Sequence, residues 1–301
     1  MKKKRQKNTA LLICVCLLLL LLLALVITAL FLGQQDPEHT VPSTQPSTMQ
    51  TTAPTTTAPI QTTAPTTVAT TEPTTAPTEA VLQDNPYTPE DFGFEEGYLT
   101  CLAADSMLGI DVSAYQPEVD WQKVKAAGVE FVILRAGFRG YGSAGNMKQD
   151  ATVLSHYSGA KAAGLKVGVY FFSQAISVEE AEEEAAFLLE IIKDFQLDMP
   201  VAYDWEYISD TARTANVDAD TLTACAEAFC QKIGNAGLQP MIYVSETQDL
   251  LHLEQLAKYP LWVAQYDTQK TYPYKTAMWQ YTNTGRVPGI AGNADINLWL
   301  P

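Results

Sequence analysis

Short, almost uninterrupted apolar runs alternate with helical stretches after about Asp105, a pattern typical of parallel strands that are buried on both faces. The predicted strands are 108–112, 131–136, 166–172, 201–205, 241–244, 261–265, 277–281 and 296–298. The predicted helices are 121–127, 151–163, 178–195, 219–235 and 249–258. About eight strands and five helices predict an α/β fold, an irregular, TIM-like (β/α) barrel whose last two strands lack helices. An open, doubly wound sheet is the alternative.

Two acidic residues stand two positions apart in the fourth predicted strand. Asp204 and Glu206 interrupt the run Val201-Ala202-Tyr203-Asp204-Trp205-Glu206-Tyr207. In a strand, such residues project from the same face, about 6.6 Å apart along the backbone. Two acids held so close repel each other, which raises one pKa. One protonated acid beside one ionised carboxylate is the arrangement used in glycoside hydrolysis, so the pair predicts that chemistry.

Further acids fall at the ends of predicted strands. Asp111 ends the first strand and Asp295 precedes or begins the last. In (β/α) barrels, catalytic groups gather at the carboxyl ends of the strands. Asp120 and Asp218 fit a different interpretation, because they directly precede predicted helices and are expected to cap them. Asp111, Asp204 and Glu206 lie inside apolar runs, where a charge needs a partner or a role.

The chain before the globular part divides into three segments. Residues 1–9 form a basic tail, and residues 10–32 are uncharged and rich in Leu. A helix of that length spans a bilayer core of roughly 30 Å, and the preceding positive charges favour a cytoplasmic amino terminus. We expect a single-pass membrane anchor with the carboxyl-terminal domain outside the cell; a cleaved signal peptide is the alternative. The high Thr and Pro content of residues 33–104 predicts a disordered linker. Residues 105–301 are expected to form the globular domain.

Charge and cysteine content narrow the choice of partners and cofactors. The chain has 19 basic and 34 acidic residues, and no basic patch is visible, which argues against nucleic acid as a partner. No group of Cys and His has the spacing of metal ligands, so neither a metal nor another cofactor is expected. Cys225 and Cys230, five positions apart on a predicted helix, are interpreted as small buried residues, and Cys101 is given no role. We expect the protein to be a monomer.

Several motifs occur in a characteristic order along the globular part. They are Gly109-Ile110-Asp111-Val112-Ser113, Tyr115-Gln116-Pro117, Trp121 with its helix, residues 131–136 and 167–173, Asp204-Trp205-Glu206, Trp279-Gln280-Tyr281 and Asp295-Ile296-Asn297. This ordered set resembles the glycoside hydrolase family 25 lysozymes over about residues 108–300. One motif departs from the family: where many members have Lys-Ala-Thr-Glu-Gly, this chain has Arg135-Ala136-Gly137-Phe138-Arg139-Gly140.

The resemblance implies an N-acetylmuramidase that cleaves the β-1,4 bond between N-acetylmuramic acid and N-acetylglucosamine in peptidoglycan. Carried over by position, the catalytic acids are Asp111, Asp204, Glu206 and Asp295. Glu206 would give its proton to the leaving oxygen, and Asp204, expected to stay ionised, would assist on the other side of the developing oxocarbenium ion. Asp111 and Asp295 would complete the acidic floor and orient the substrate.

Substrate-binding residues are predicted from their chemistry and their places near strand ends. Sugar rings present apolar C–H faces that pack on aromatic side chains. Arg135, Tyr170, Gln265, Tyr266 and Gln280 are the candidates. Retention, inversion and a substrate-assisted route, in which Asp204 positions the substrate amide, remain open, with the last favoured. The predicted role is cell-wall remodelling or turnover; a silent peptidoglycan-binding module and a hydrolase of another N-acetylated glycan such as chitin are the alternatives.

Overall fold

A closed barrel of eight strands forms the centre of the protein. The computed structural model describes residues 80–245 and 250–300. Its strands are β1 (Phe92–Glu95), β2 (Tyr98–Cys101), β3 (Met107–Val112), β4 (Phe131–Arg139), β5 (Met147–Gln149), β6 (Lys166–Ser173), β7 (Val201–Trp205), β8 (Pro240–Ser245), β9 (Leu261–Ala264), β10 (Met278–Gly285) and β11 (Ala294–Trp299). The main sheet has the order β3-β11-β10-β9-β8-β7-β6-β4-β5, and pairing of β3 with β4 closes the ring. The predicted barrel is confirmed, and the open sheet is excluded.

Four α-helices lie among the described residues, one fewer than predicted. They are α1 (Trp121–Ala126), α2 (Val153–Ala162), α3 (Val178–Ile192) and α4 (Ala219–Asn235). Asp120 and Asp218 cap α1 and α4 by accepting hydrogen bonds from the backbone N–H groups of Lys123 and Thr221, as expected. The predicted helix 249–258 is wrong: Leu253–Leu256 form a short 3-10 helix instead.

The last strand runs against its neighbours. Seven barrel strands are parallel, whereas β11 is antiparallel to both β10 and β3. Only the eight residues 286–293 connect β10 to β11. A parallel crossover needs a dozen or more residues, so the chain must return in the opposite direction. The start of β11 therefore lies at the barrel mouth where the other strands end, and Asp295 pairs in register with Asp111.

Side chains alternate between the barrel interior and the layer under the helices. On β7, Ala202 belongs to the inner cluster, and Tyr203 and Trp205 belong to the cluster between the barrel and the helices. This period of two is the normal pleat of a strand. It directs Asp204, which lies between Tyr203 and Trp205, towards the barrel interior.

A hairpin occupies part of the range 33–104 that the sequence assigns to a linker. Strands β1 and β2 pair across Glu96 and Gly97, both of which have positive φ angles, as a type I′ turn requires. Leu99 and Cys101 are buried, and Phe92 packs edge-on against Trp279 with ring centroids 5.2 Å apart. The folded body thus starts before residue 105.

The predicted anchor, residues 10–32, and most of the predicted linker lie outside the described residues. Within residues 80–245 and 250–300, no helix combines the length and the apolar character needed to cross a membrane. Cys225 and Cys230 are buried free thiols, as predicted, and Cys101 is also a buried free thiol.

Candidate active site

Four acidic side chains meet at the mouth of the barrel. Asp111 lies near the end of β3, Asp204 near the end of β7, Glu206 just beyond β7 and Asp295 near the start of β11. All four line one cavity of about 370 Å³. The structure therefore brings together the acids that the sequence singled out, and it places Asp204 and Glu206 on the same side of their segment.

Asp111 is held by two amide side chains. Gln280 Nε2 donates to Asp111 Oδ2 at 2.7 Å, and Asn297 Nδ2 donates to the same oxygen at 2.8 Å. Trp262 Nε1 donates to Asn297 Oδ1 at 2.8 Å, which orients the amide of Asn297. Both amides stabilise an ionised carboxylate, because each presents a donor to it.

Burial shifts the pKa values of the two acids that pair across β3 and β11. Burial raises the pKa of Asp111 to about 6, although the hydrogen bonds from Asn297 and Gln280 oppose the rise. Burial, and then the charge of Asp111, raise the pKa of Asp295 to about 8. Near neutral pH, Asp111 therefore carries a negative charge while Asp295 keeps its proton.

The protonation of Asp204 and Glu206 differs from the sequence expectation in one respect. Burial raises the pKa of Asp204 well above its ordinary value, and the charges of Glu206 and Asp111 add to the rise. Burial is also the largest cause that raises the pKa of Glu206, followed by the charge of Asp111. Asp204 was expected to stay ionised. It is the more deeply buried of the two acids, so it favours the protonated form.

Asp204 also has an unused hydrogen-bonding atom. Its Oδ1 is buried and has no hydrogen-bond partner among the residues that the structure describes. Buried polar atoms are almost always paired, and one without a partner at a cavity wall is suited to accept a hydrogen bond from a ligand. A donor placed there would stabilise the ionised form of Asp204 and lower its pKa.

A network of hydrogen bonds holds the backbone of Glu206 in place. Gln174 Nε2 donates to the carbonyl oxygen of Glu206 at 3.0 Å. Gln174 is itself held, because Thr214 Oγ1 donates to its Oε1 at 2.9 Å and Arg213 Nη1 donates to its carbonyl oxygen at 2.9 Å. These contacts fix where the chain leaves β7, and sequence analysis missed all three residues.

Two of the predicted binding residues line the cavity. Arg135 Nε donates to Asp150 Oδ2 at 2.8 Å, and the guanidinium lies 5.2 Å from the ring centroids of both Tyr115 and Phe138. This fixed cation stands at the point where the sequence departs from the Lys-Ala-Thr-Glu-Gly motif. Tyr170 also lines the cavity, and burial raises the pKa of its hydroxyl well above the ordinary value.

The other predicted binding residues have different positions. Gln280 is buried and acts through Asp111, while its Oε1 accepts hydrogen bonds from Tyr243 at 3.3 Å and Tyr266 at 3.1 Å. Tyr266 stands at the rim with 52% of its surface exposed. Gln265 does not line the cavity: its side-chain oxygen accepts from the backbone N–H groups of Thr271 and Tyr272. The side chain of Gln265 therefore stabilises the loop after β9.

Aromatic and apolar residues of the cavity wall were overlooked by the sequence analysis. Tyr115 is 83% exposed and Tyr141 is 59% exposed, although both carry large rings. Phe138 and Ile208 complete this wall. Tyr115 lies in the motif Tyr115-Gln116-Pro117, which was a usable signal, whereas Tyr141 and Ile208 follow strands in loops without a recognisable pattern.

Asp295→Asn is expected to stabilise the folded protein at alkaline pH. The folded-state pKa of Asp295 lies above the ordinary value, so between about pH 4 and 8 folding retains a proton that the unfolded chain has released. Stability therefore falls as the pH rises through that range, and the amide removes this loss. Urea unfolding at pH 8 should show a gain of about 1–2 kcal/mol, and a much smaller one at pH 4.

Asp105→Asn, at an exposed position, is the control for a change of net charge. An equal gain for both variants, or a gain for Asp295→Asn that does not depend on pH, would contradict the burial of an acid at this place.

Comparison with known proteins gives a consistent family match. The family model described as glycosyl hydrolases family 25 matches residues 110–290. An autolytic lysozyme of Clostridium acetobutylicum is 31% identical over 193 residues, which are 64% of this chain and 55% of the relative. The chain thus spans about half the length of that curated relative.

Solved structures of similar proteins agree with the barrel. The modular autolysin LytC of Streptococcus pneumoniae matches with a TM-score of 0.58 and 26% identity, over 69% of this chain and 50% of that one. LytC has also been solved in complex with a synthetic peptidoglycan ligand. A family 25 lysozyme of Aspergillus fumigatus matches with a TM-score of 0.53 and 25% identity, over 65% of this chain and 95% of that one.

Proposed function

The chain belongs to glycosyl hydrolases family 25, and from this premise we propose that it is a muramidase that hydrolyses the β-1,4 bond between N-acetylmuramic acid and N-acetylglucosamine in peptidoglycan. The observation that carries the proposal is the group of four carboxyl groups around one cavity, of which Asp111 and Asp204 are buried and Glu206 and Asp295 are partly buried. Burial raises the pKa of each, and the charges of neighbouring carboxylates add to the rise for Asp204, Glu206 and Asp295. Acids that keep protons near neutral pH can protonate a leaving oxygen.

Glu206 is the proton donor in this proposal. It follows β7, lines the cavity and has a clamped backbone, so its carboxyl group is presented to a bound substrate from a fixed position. The raised pKa of Glu206 keeps the proton available at working pH. Asp111 stays ionised between Gln280 and Asn297, and its negative charge stabilises the developing oxocarbenium ion.

Asp204 positions the acetamido group of the substrate. The amide N–H would donate to the unpaired Oδ1, which favours the ionised form of Asp204 and moves the shared proton towards Glu206. The acetamido oxygen then attacks the anomeric carbon while the glycosidic C–O bond breaks and the leaving oxygen takes the proton of Glu206. Water, deprotonated by Glu206, opens the resulting ring, and the anomeric configuration is retained.

The cavity wall matches the chemistry of the proposed substrate. Tyr115, Phe138 and Tyr141 offer apolar rings for the C–H faces of the sugars. Arg135 places a cation in the cavity, suited to the lactyl or stem-peptide carboxylates of peptidoglycan. The relatives add support, since one is an autolytic lysozyme and another was solved with a peptidoglycan ligand.

The proposed place of action is the outer face of the cell membrane. Residues 10–32 form an uncharged stretch after Lys2, Lys3, Lys4, Arg5 and Lys7, which supports an anchor with the carboxyl-terminal domain on the cell-wall side. The Thr- and Pro-rich stretch that follows would let a monomeric domain reach glycan strands away from the membrane and remodel or turn over the wall. Recovery of most of the full-length protein in the culture medium, rather than in washed membranes, would contradict the anchor.

Release of soluble fragments from purified cell walls tests the activity. We expect the full-length protein in detergent to clarify a suspension of walls, and the double variant Asp204→Asn, Glu206→Gln to leave it turbid. Walls that sediment with bound protein but release nothing would favour the silent binding module. Release of oligosaccharides from chitin without release from walls would favour the other glycan hydrolase.

A further inference from the structure

A second groove lies beside the catalytic cavity. It has a volume of about 590 Å³ and is bounded by the β1–β2 hairpin, the segment after β9 and the end of β10. Phe94 and Tyr98 come from the hairpin, Tyr266 follows β9, and Asn283, Thr284 and Arg286 lie at or just beyond the end of β10. The hairpin precedes residue 110, so one wall of the groove lies outside the family match.

Two hydrogen bonds link the wall of the groove to the wall of the catalytic cavity. Tyr266 lines the groove, and its hydroxyl donates to Gln280 Oε1 at 3.1 Å. Gln280 in turn donates to Asp111, which lines the catalytic cavity. The parallel strands β9 and β10 also end at the mouth where Asp204 and Glu206 lie. A chain that crosses the mouth can therefore pass from the cavity over Tyr266 into the groove.

The hairpin is fixed on the barrel, so the groove exists before a ligand arrives. The backbone N–H of Leu99 donates to the hydroxyl of Tyr281 at 3.4 Å, and the hydroxyl of Tyr98 donates to the carbonyl oxygen of Arg286 at 3.3 Å. Phe92 packs against Trp279 on the same side of the barrel. A preformed site loses less conformational entropy when it binds.

The lining of the groove has the chemistry of a sugar site. Phe94 is 60% exposed and Tyr266 is 52% exposed, although burial would be favourable for both rings. Exposed aromatic faces bind the C–H faces of pyranose rings. The exposed polar side chains of Asn283 and Thr284 can hydrogen-bond with hydroxyl and acetamido groups.

We propose that this groove is an additional glycan subsite, which binds sugar residues of the same strand beyond those held in the catalytic cavity. The proposal rests on the proposed muramidase function and makes it more specific: the enzyme would prefer long glycan strands to short oligosaccharides. The occupant is the glycan backbone itself, recognised by Phe94 and Tyr266 through stacking.

Phe94→Ala in the full-length protein tests the groove. The substrates are glycan strands from which an amidase has removed the peptides, and a tetrasaccharide with the same repeating unit. We expect the ratio of kcat/KM on long strands to kcat/KM on the tetrasaccharide to fall about five-fold, mainly through KM, because one stacking contact is lost. Asn283→Ala should lower the ratio in the same direction.

Leu154→Ala is the matched control, because Leu154 is a 55% exposed apolar residue on α2, away from the groove. Its ratio should equal that of the unchanged protein. If the unchanged protein cleaves both substrates and Phe94→Ala keeps the same ratio, the groove is not a glycan subsite. A loss confined to strands that still carry peptides would also overturn the proposal, in favour of a peptide site.

A binding measurement separates this proposal from the hydrolase assignment. Titration calorimetry with peptide-free strands compares Glu206→Gln with the double variant Phe94→Ala, Glu206→Gln. A weaker affinity in the double variant, by about five-fold, supports the subsite even if the unchanged protein cleaves nothing, in which case only the muramidase proposal fails. Equal affinities would overturn the subsite whatever the enzyme does.

Discussion

Glu206→Gln is expected to lower kcat for peptidoglycan hydrolysis by about 10³-fold and to change KM by less than about three-fold. The amide has nearly the shape of the carboxyl group, and the backbone contact from Gln174 does not depend on the side chain of residue 206. The variant therefore keeps the geometry of the cavity and loses only the transferable proton. The measurement is the steady-state rate of reducing-end formation from solubilised glycan strands.

The pH profile shows whether Glu206 supplies the proton. Because the pKa of Glu206 is raised, the protonated form persists above the usual range of a glutamic acid, and activity is lost as the pH rises through that pKa. The alkaline limb of kcat/KM should disappear in the residual activity of Glu206→Gln. Asp204→Asn is the comparison, since it should retain that limb. A Glu206→Gln variant with ordinary turnover, or with the alkaline limb intact, would contradict the assignment.

Arg139→Met is expected to lower the free energy of unfolding by about 3–5 kcal/mol at pH 8. Arg139 and Glu184 form a buried ion pair at the wall of the catalytic cavity, which Arg139 lines, with Arg139 Nε 2.7 Å from Glu184 Oε1. The other oxygen, Glu184 Oε2, accepts from Ser173 Oγ at 2.6 Å, and the guanidinium also donates to two backbone carbonyl oxygens. Without the arginine, a buried carboxylate loses its cation, which costs more than an exposed pair would.

The loss should depend on pH in a defined direction. Burial raises the pKa of Glu184 to about 7 even with Arg139 present, so the unpaired acid takes up a proton on acidification and no longer needs the cation. Urea unfolding should therefore show a smaller loss at pH 5 than at pH 8. Arg139→Met, Glu184→Leu should recover much of the stability, because it leaves no buried charge.

Lys193→Met provides the control for this prediction. Lys193 forms an exposed ion pair with Glu190 at 2.5 Å, and removal of such a pair changes stability by less than about 1 kcal/mol. A loss for Arg139→Met no larger than for this control, or equal at pH 5 and pH 8, would contradict the requirement for a cation beside the buried carboxylate of Glu184.

The barrel strands were predictable because each carries its own signal. Apolar runs of four to eight residues between helix caps mark strands wherever they pack, and β7 matches the prediction residue for residue. The direction of β11 depends on the length of the connection from β10, and that length is known only once the ends of both strands are known. The pattern of apolar residues does not define those ends. The hairpin of β1 and β2 was missed because its alternation is short and follows a long Thr- and Pro-rich stretch.

The acids of the candidate site were predictable for a related reason. A charge inside an apolar strand, such as Asp111 or Asp204, contradicts its local environment and indicates a role. Their supporting partners are distant in sequence. Asn297 reaches Asp111 because the last strand of the barrel pairs with the first, and Gln174 reaches Glu206 because β6 pairs with β7. Gln265 holds a loop and does not line the cavity, because a polar residue at a strand end can hydrogen-bond with a loop as readily as with a ligand.

The identity of the newly formed reducing ends tests the central claim most directly. Walls digested by the full-length protein are reduced with borohydride, hydrolysed, and analysed for the two amino-sugar alcohols. Cleavage of the bond from N-acetylmuramic acid to N-acetylglucosamine leaves muramic acid at the reducing end, so muramitol should form in step with the loss of turbidity, and Glu206→Gln should abolish it. Formation of glucosaminitol instead, or loss of turbidity without either alcohol, would show that this barrel does not act as a muramidase.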